Sequence, residues 1–584
     1  MADLEPPADL GLLLRYLHPE RRALTGLVAL LVAAMVLPLA GPLLVGRFVD
    51  RALGGASTGS LALIAATFLL TTLSGDGLQL VVTWLSVRLA WRVGNTLRLD
   101  LCRHALGLDL DWHADHSPGQ LIERIDGDMD AVTRFSSTAV LELAGNAVLV
   151  AGVVAISAFI DWRASLLIAV TVGLAVAVMA KMRRLAVPFY DDEREVQAQL
   201  YGDVEERLGG LEDLRANGAG AWAEHKLQVH SARWWRATRR AAVRGDGALS
   251  VAGAVFAAGT VATLALGAWL NRRGELSIGS VLALLRFSQL VSDPLWKVAE
   301  QLAEAQKAVA GTRRAARLLA SAPLIVDGPA ELPATGALDA ELVSVTFGYG
   351  TGHPSLEAVD LSIPAGTSLG LVGRTGSGKT TVGRLLARLW DTESGRVLVE
   401  GSDVRDLRLA SLRTRVAVVT QEVEVFRATV RDNLTVFGTA AATDVELVDA
   451  LAEVGLGAWL ASLPAGLDES LHGSGDLSAG EAQLLAFARV LLTDPGLVIL
   501  DEASSRLDPA TEERLEAATG RLLAGRTAVV IAHRLATLER VDAIAVLDRG
   551  RVIEHGPRPV LAADPGSHYA QLLTASERAE VAVS

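Results

Sequence analysis

The chain has little cysteine, fewer basic than acidic residues, and a start that is unlike a cleaved signal peptide. Its 584 residues include one cysteine, Cys102, which excludes an intramolecular disulfide framework. Asp and Glu outnumber Lys and Arg by 67 to 54, and the net charge of −13 argues against a general nucleic-acid surface, so no nucleic acid is expected as a partner. The start of the chain, Met1 to Leu10, is acidic and contains proline, whereas a cleaved signal peptide begins with basic residues. A chain of this length is too long for one core, so two or more domains are expected.

Long apolar stretches, in contrast, are abundant in the first half of the chain. Six of them approach the length of about 20 residues that crosses the hydrocarbon of a bilayer. They lie at about 23–48, 61–85, 135–160, 164–182, 249–270 and 278–298. The sequence therefore predicts six transmembrane helices. The alternative, buried core helices of a large soluble protein, is disfavoured by the number and length of these stretches.

The positive charges between the stretches predict the orientation. The link at 53–60 has no charged residue, whereas Arg and Lys cluster in the links on the other side, at 88–103, 181–184, 233–244 and 313–317. We expect a multi-pass protein of the cell (plasma or inner) membrane with both termini in the cytoplasm, although Arg272 and Arg273 run against this bias. The long polar links, at 87–134 and 183–246, have helical patterns. The spans should continue through them into the cytoplasm as helices, with a short bend at each far end.

Polar residues also occur at predicted membrane depth: Asp76, Gln79, Glu142, Asn146, Arg286, Gln289 and Asp293. Charge there is costly, so each should face the inside of the helix bundle or a watery cavity. Two interpretations remain open, a substrate pathway lined partly by carboxylates, or internal ion pairs and residues close to the headgroups.

A phosphate-binding loop follows in the second half. The pattern G-x-x-x-x-G-K-T lies between an apolar strand, Ser368 to Val372, and a helix, Val382 to Trp390, as this loop requires. Its glycines let backbone N–H groups surround phosphate oxygens, Lys379 meets the β- and γ-phosphates, and Thr380 offers Mg²⁺ a hydroxyl. The residues predicted to bind the nucleotide are Gly373, Arg374, Thr375, Gly376, Ser377, Gly378, Lys379, Thr380 and Thr381.

Two later apolar strands end in reactive side chains. Leu497 to Leu500 leads into Asp501 and Glu502, and Thr527 to Ala532 leads into His533. Because ligands of open α/β sheets lie at the carboxyl ends of strands, these side chains should converge on the phosphate loop. Asp501 would hold Mg²⁺ through water, Glu502 would orient or deprotonate the attacking water, and His533 would contact the γ-phosphate. A simple helix cap, the alternative for the Asp-Glu pair, is disfavoured by the intact loop before it.

These motifs together resemble the ATP-binding cassette family, specifically exporter-type half-transporters with six spans ahead of one nucleotide-binding domain. The resemblance extends over nearly the whole chain and implies an all-α transmembrane domain followed by an α/β P-loop NTPase. The expected boundaries are 1–320 for the transmembrane domain, 321–337 for the linker, 338–575 for the nucleotide-binding domain and 576–584 for a tail. The further matching positions are Gly119, Arg124, Asp128, Pro294, Tyr349, Gln421, Phe426, Thr429, Asn433, the signature segment Leu477 to Glu481, and the D-loop Ser505 to Asp508.

The resemblance also implies a mechanism in which two nucleotide domains close head to tail around ATP and Mg²⁺. Tyr349 would stack on adenine, Gln421 would join Mg²⁺ and the water, and Ser478 with the Gly480 N–H would meet the γ-phosphate held by the partner. Bends at 111–117 and 219–224 would carry the motion to the spans. The implied function is ATP-driven export of an amphipathic small molecule, drug, lipid or peptide, in contact with membrane lipid. The alternatives are an importer of a siderophore-like solute, or a regulatory membrane subunit that binds ATP without pumping, which would not need Glu502.

The signature segment departs from the family pattern Leu-Ser-Gly-Gly-Gln at two positions. Ala479 replaces a glycine and Glu481 replaces the glutamine. A carboxylate at Glu481 would repel the partner's nucleotide, so the site that uses this segment should be the weaker one. The phosphate-loop side is intact, and this asymmetry favours a heterodimer with a different half-transporter over a symmetric homodimer.

Overall fold

The computed structural model describes residues 10–350, 352–473, 475–501, 509–532 and 535–583. It divides into two compact units, one formed by Met1–Leu106 and Pro118–Ser321, the other by Gly107–Ser117 and Ala322–Ser584. The described part of the first unit is helical throughout, and the second combines strands with helices. The predicted class, an all-α domain followed by an α/β domain, is confirmed.

The first 320 residues are dominated by a few very long helices. In chain order the helices are α1 Leu10–Leu17, α2 Arg21–Val36, α3 Ala40–Leu53, α4 Thr58–Leu106, α5 Leu110–Ala114, α6 Pro118–Ile122, α7 Asp128–Ala139, α8 Asn146–Ile160, α9 Trp162–Gly209, α10 Leu211–Ala216, α11 Gly220–Arg272, α12 Ile278–Leu290 and α13 Ser292–Ala320. Short 3₁₀ segments at His18–Glu20 and Leu37–Leu39 and π-helical segments at Glu123–Gly127 and Val140–Gly145 connect some of them.

Five helical segments of the described residues are long and apolar enough to cross a membrane, and they contain the first five predicted spans. They are Arg15–Leu53, Thr58–Leu106, Pro118–Ile160, Trp162–Gly209 and Gly220–Arg272. Helices α4, α9 and α11 have 49, 48 and 53 residues. At about 1.5 Å per residue each is roughly two and a half times as long as the hydrocarbon is thick, so the predicted helical continuation beyond the spans is confirmed. The short α5 overlaps the bend predicted at 111–117. The second bend differs from the prediction, because α10 precedes the predicted range of 219–224 and α11 already begins at Gly220.

The sixth predicted span, at 278–298, differs from the prediction because it is not a single helix. Helix α12 has 13 residues and ends at Leu290, and α13 begins at Ser292. Pro294 explains the break, since proline has no N–H to donate to the carbonyl of Leu290 four residues earlier and its ring collides with that carbonyl. Within the first turn of α13, in contrast, the missing N–H is tolerated.

Helices α3 and α12 pack in very close contact. A Cβ atom on Gly46 would lie 2.5 Å from the carbonyl oxygen of Gly279, so only glycine permits this approach. Beside it, Asp50 accepts hydrogen bonds from the Ser277 hydroxyl, at 2.5 Å, and from the Gly279 N–H, at 2.7 Å. Elsewhere in the unit, Glu142 accepts a 2.6 Å hydrogen bond from Gln301. For Glu142, this contact favours the interpretation that polar residues in the spans pair with one another.

The second unit contains two sheets. Its strands are β1 Ala340–Phe347, β2 Leu356–Ile363, β3 Ser368–Val372, β4 Ser394–Val399, β5 Ser402–Asp403, β6 Val416–Val419, β7 Leu497–Asp501, β8 Thr527–Ile531, β9 Ala543–Asp548 and β10 Arg551–Pro557. Its main helices are α14 Lys379–Leu386, α15 Leu409–Arg415, α16 Val430–Thr435, α17 Asp444–Glu453, α18 Gly457–Ser462, α19 Ala479–Thr493, α20 Pro509–Leu523, α21 Arg558–Ala563 and α22 His568–Val583.

The six-stranded sheet has the order β10-β9-β3-β8-β7-β6 and positions the site. Strands β9, β3, β8, β7 and β6 are parallel, and β10 is antiparallel to β9. Strands β3, β7 and β8 are buried at every residue, which is why their sequences are continuous apolar runs. Because parallel strands end at the same edge, the carboxyl ends of β3, β6, β7 and β8 lie along one edge of the sheet. The antiparallel sheet β2-β1-β4-β5 completes the unit.

Candidate nucleotide-binding site

The phosphate loop begins directly after β3 and depends on its glycines. A Cβ atom on Gly373 would lie 2.2 Å from the carbonyl oxygen of Leu547 in β9. Gly378 has a φ of +103°, and a Cβ there would lie 2.6 Å from the side chain of Leu356. Both positions therefore exclude a larger residue. Helix α14 then begins at Lys379, so its N-terminal end and the loop N–H groups are where an anionic phosphate would bind.

The Lys379 side chain lies within this loop. It is 6% exposed, and its ammonium donates hydrogen bonds to the carbonyl oxygens of Gly373, at 2.7 Å, and Arg374, at 3.1 Å. Burial lowers the pKa of Lys379, and the nearby negative charge of Asp501 partly opposes this effect. In the described structure the hydroxyl of Ser377 is buried without a hydrogen-bond partner, so it can bond to a ligand oxygen. The loop thus offers a buried cation and an unsatisfied hydroxyl together.

Three predicted metal-binding side chains come together beside the loop. Thr380, Gln421 and Asp501 line one cavity of about 330 Å³. They reach it from three elements, α14, the segment after β6, and the end of β7. Asp501 is 7% exposed, and its Oδ1 atom has no hydrogen-bond partner among the described residues. A hydroxyl, an amide oxygen and a carboxylate are hard oxygen ligands, so this set fits Mg²⁺.

Tyr349 lies beside α14. Its hydroxyl donates to Thr381 at 3.3 Å and accepts from Arg384 at 3.1 Å. Its ring packs edge to face against Phe347 and Trp390, with centroids 4.9 and 5.5 Å away. The sequence predicted Tyr349 at the nucleotide but not Arg384, which also lines the cavity. The one sequence signal for Arg384 is its position four residues after Thr380; both residues lie on α14.

The signature segment forms the start of α19. Ser478 is the N-cap, and its hydroxyl accepts a hydrogen bond from the Glu481 N–H. The Glu481 carboxylate in turn accepts from the Ser478 N–H, at 2.9 Å, and from the Ser478 hydroxyl, at 2.7 Å. This reciprocal pair is a capping box. Ser478 and Ala479 are exposed, whereas Gly480 is buried. The sequence contains the Ser-x-x-Glu pattern, but its capping role was missed.

The remaining predicted residues, Glu502, the D-loop at 505–508 and His533, lie outside the described residues. The strands that lead to two of them are adjacent, and Asp501 of β7 is paired in register with Ile531 of β8. Their predicted roles therefore stay predictions.

Comparison with known proteins adds the following findings. The family model for the ABC transporter transmembrane region matches residues 24–295, and the ABC transporter model matches residues 356–505. The uncharacterized ABC transporter ATP-binding protein YknV of Bacillus subtilis is 31% identical over 581 residues, covering 97% of this chain and 94% of that protein. An ATP-dependent lipid A-core flippase of Pseudomonas fluorescens is 32% identical over 486 residues, covering 82% of this chain and 79% of that protein. A bacterial Atm1-family ABC exporter solved with ATP bound superposes with a TM-score of 0.78 at 23% identity, covering 95% and 98% of the two chains, so its fold is the same.

Proposed function

This chain belongs to the ATP-binding cassette (ABC) transporter family, and from that premise we propose how its residues use ATP and what it transports. It is a multi-pass membrane protein of the exporter type that couples ATP hydrolysis to transport, and such exporters act as dimers. The predicted family and function are confirmed, and the comparisons favour export over the import alternative. The roles of individual residues, the metal, the partner and the solute belong to the proposal.

In the proposed site the phosphate loop, Gly373 to Thr381, binds the phosphates and Tyr349 contacts the adenine. Lys379 exchanges its two loop carbonyls for phosphate oxygens, which are stronger acceptors because they are charged. Glu502 orients or deprotonates the attacking water, and His533 contacts the γ-phosphate. Ser478 and the Gly480 N–H contact the γ-phosphate bound by the partner cassette.

Thr380, Gln421 and Asp501 would hold Mg²⁺, with Asp501 acting through water. When bound, Mg²⁺ supplies positive charge that stabilises the developing negative charge on the phosphates. The observation that carries the proposal is the convergence of these three side chains on one cavity, where a carboxylate oxygen of Asp501 has no hydrogen-bond partner in the described part of the chain. A structural role alone would not explain a buried carboxylate oxygen without a partner, because buried polar atoms are normally satisfied.

The direct test of the hydrolytic site is Glu502→Gln. We expect ATP binding to be retained and turnover to fall at least ~10²-fold, as is typical when a general base is lost. Glu516→Gln is the matched control, because it makes the same change on an exposed carboxylate of α20 and should leave turnover unchanged. Equal turnover in the Glu502 variant and the wild type would refute the assignment and reopen the regulatory-subunit alternative.

We propose that the second cassette comes from a different half-transporter, so that the complex is a heterodimer. The support is the contrast between the intact phosphate-loop side and the altered signature segment, with Ala479 and Glu481. Purification through a tag on this chain from its own cells should recover a second half-transporter in equal amount. Robust ATPase and transport by the chain purified alone, as a symmetric dimer, would refute this part of the proposal.

The proposed cargo is an amphipathic small molecule, drug, lipid or peptide, moved out of the inner leaflet of the plasma or inner membrane, with both termini in the cytoplasm. Support comes from the flippase relative, whose name gives lipid A-core as the molecule it moves. Reconstitution in proteoliposomes, with ATP outside, should show solute-stimulated ATPase and accumulation of an amphipathic fluorescent probe. Stimulation by hydrophilic solutes alone would contradict it.

A further inference from the structure

The signature serine is already hydrogen-bonded within its own helix. The Ser478 hydroxyl donates its single proton to the Glu481 carboxylate at 2.7 Å, and the same carboxylate oxygen accepts the Ser478 N–H at 2.9 Å. A hydroxyl has one proton to donate. Donation to a phosphate oxygen therefore requires the Ser478 hydroxyl to leave Glu481.

A second capping box in the same unit shows what the arrangement does when only helix stability is involved. At the start of α17 the Thr443 hydroxyl and N–H donate to the Glu446 carboxylate at 2.9 and 2.7 Å. The geometry matches that of Ser478 and Glu481, but Thr443 has no proposed contact with nucleotide. The box at Thr443 is therefore a control for helix capping alone, and any effect found only at Ser478 and Glu481 reflects the nucleotide.

We propose that Glu481 is a positioning residue that holds the Ser478 hydroxyl on its own helix, and that the γ-phosphate bound by the partner cassette must displace this carboxylate. The inference rests on the proposed function. The glutamate at position 481, where the family pattern has glutamine, then has a specific consequence. The carboxylate and the γ-phosphate compete for the Ser478 hydroxyl proton, and this competition sets how much ATP is needed to close the dimer.

The charge of Glu481 decides the strength of this competition. A glutamine can make the same capping box through its amide oxygen, but the hydrogen bonds to it are neutral. Hydrogen bonds to a charged acceptor are roughly twice as strong as neutral ones. Glu481→Gln should therefore release Ser478 more readily and lower the KM for ATP about fivefold, the factor given by the usual difference between charged and neutral hydrogen bonds. The value of kcat should stay within about twofold, because the water-activating side of the site is untouched.

The test uses the intact transporter, purified in nanodiscs through a tag on this chain so that any natural partner is present. ATPase is measured against ATP concentration for the wild type, Glu481→Gln, Glu446→Gln, Ser478→Ala and the double variant Ser478→Ala with Glu481→Gln. We expect the lower KM in Glu481→Gln only, no change in Glu446→Gln, and no additional effect of Glu481→Gln once Ser478 is alanine.

Three results would overturn the inference. An unchanged or higher KM in Glu481→Gln would show that the carboxylate does not compete. An equal effect of Glu446→Gln would show that helix stability is responsible, and an effect that persists without the Ser478 hydroxyl would show direct repulsion of the nucleotide instead. An active wild type with any of these results leaves the proposed function standing, whereas a wild type without ATPase would refute both.

Discussion

Replacing Gly373 by alanine should loosen β3 from β9, whereas the same replacement at Gly376 should not. Both glycines have positive φ, +153° and +82°. A Cβ on Gly373 would lie 2.2 Å from the backbone oxygen of Leu547, which cannot rotate away, whereas a Cβ on Gly376 would have nothing within 4 Å. The two variants therefore share backbone strain and differ in steric overlap.

The magnitudes follow from these two terms. A non-glycine residue at these positive φ values costs roughly 1–3 kcal/mol, and a term of this kind applies to both variants. Overpacking against a fixed backbone adds roughly 1–3 kcal/mol, and this applies to Gly373→Ala alone. The expected difference of about 2 kcal/mol corresponds to roughly a 30-fold larger opening constant at the end of β3 in Gly373→Ala.

Hydrogen–deuterium exchange of the nucleotide-free protein measures this opening locally. Peptides from β3 and β9 should exchange much faster in Gly373→Ala than in Gly376→Ala, while peptides from β1 and β2 should be unchanged in both. Equal exchange in the two variants would refute the argument, because it would mean that backbone strain alone makes this loop require glycine.

Three further outcomes are expected. Tyr349→Phe should keep ATP affinity within about twofold, whereas Tyr349→Ala should weaken it about fivefold, because an aromatic contact is worth about 1 kcal/mol. Titration with a fluorescent ATP analogue measures both affinities. An equal loss of affinity in the two variants would contradict stacking of Tyr349 on adenine. Asp501→Asn should remove most of the difference in ATP affinity between Mg²⁺ and EDTA, and a preserved difference would place the metal elsewhere. Burial raises the pKa of Asp403, but hydrogen bonds from Arg405 outweigh this and hold the pKa below its ordinary 3.8. The ionised Asp403 therefore stabilises the fold above that value, and this stabilisation is lost as the pH falls through the folded pKa. Asp403→Asn should lower the free energy of unfolding by about 1 kcal/mol near pH 7 and leave it unchanged in strong acid. A loss of thermal stability that does not depend on pH would contradict the pairing of Asp403 with Arg405.

The site was predictable from the sequence as far as strand ends determine it. Continuous apolar runs can be recognised as buried parallel strands, and the residues that follow them must share one edge of the sheet. That rule placed Asp501 near the phosphate loop, and the structure brings Thr380 and Gln421 to the same cavity. The contact of Arg384 with Tyr349 was beyond this rule, because it depends on side-chain packing between the segment after β1 and α14.

The break in the sixth span was only partly predictable from the sequence. The mean hydropathy of the stretch 278–298 suggests one helix. Mean hydropathy, however, does not show that a proline leaves the carbonyl four residues earlier without a hydrogen-bond donor. Pro294 lies four residues after Leu290, where α12 ends. A local rule about proline identifies this position as a candidate break. The rule is not sufficient alone, because Pro188 lies inside the unbroken α9.

The signature segment shows how a residue's charge and its hydrogen bonds lead to different expectations. The charge of Glu481 alone predicted repulsion of the partner's nucleotide. Its position three residues after Ser478 predicts a capping box instead, as Glu446 does after Thr443. The structure contains both boxes, so the Glu481 carboxylate caps the start of its own helix, α19.

This local competition also bears on the composition of the dimer. Within the described residues no hydrogen bond joins the loop at 373–381 to the segment at 477–481, and Ser478 is exposed. A partner cassette can therefore approach Ser478 without first breaking a contact to the chain's own phosphate loop. In a homodimer both ATP sites would include a Glu481 that must be displaced, and Glu481→Gln would shift the whole binding curve. In a heterodimer only one of the two sites uses this segment, so half of the bound nucleotide would shift and half would stay. The shape of the nucleotide titration thus reports whether the partner is a second copy of this chain or a different half-transporter.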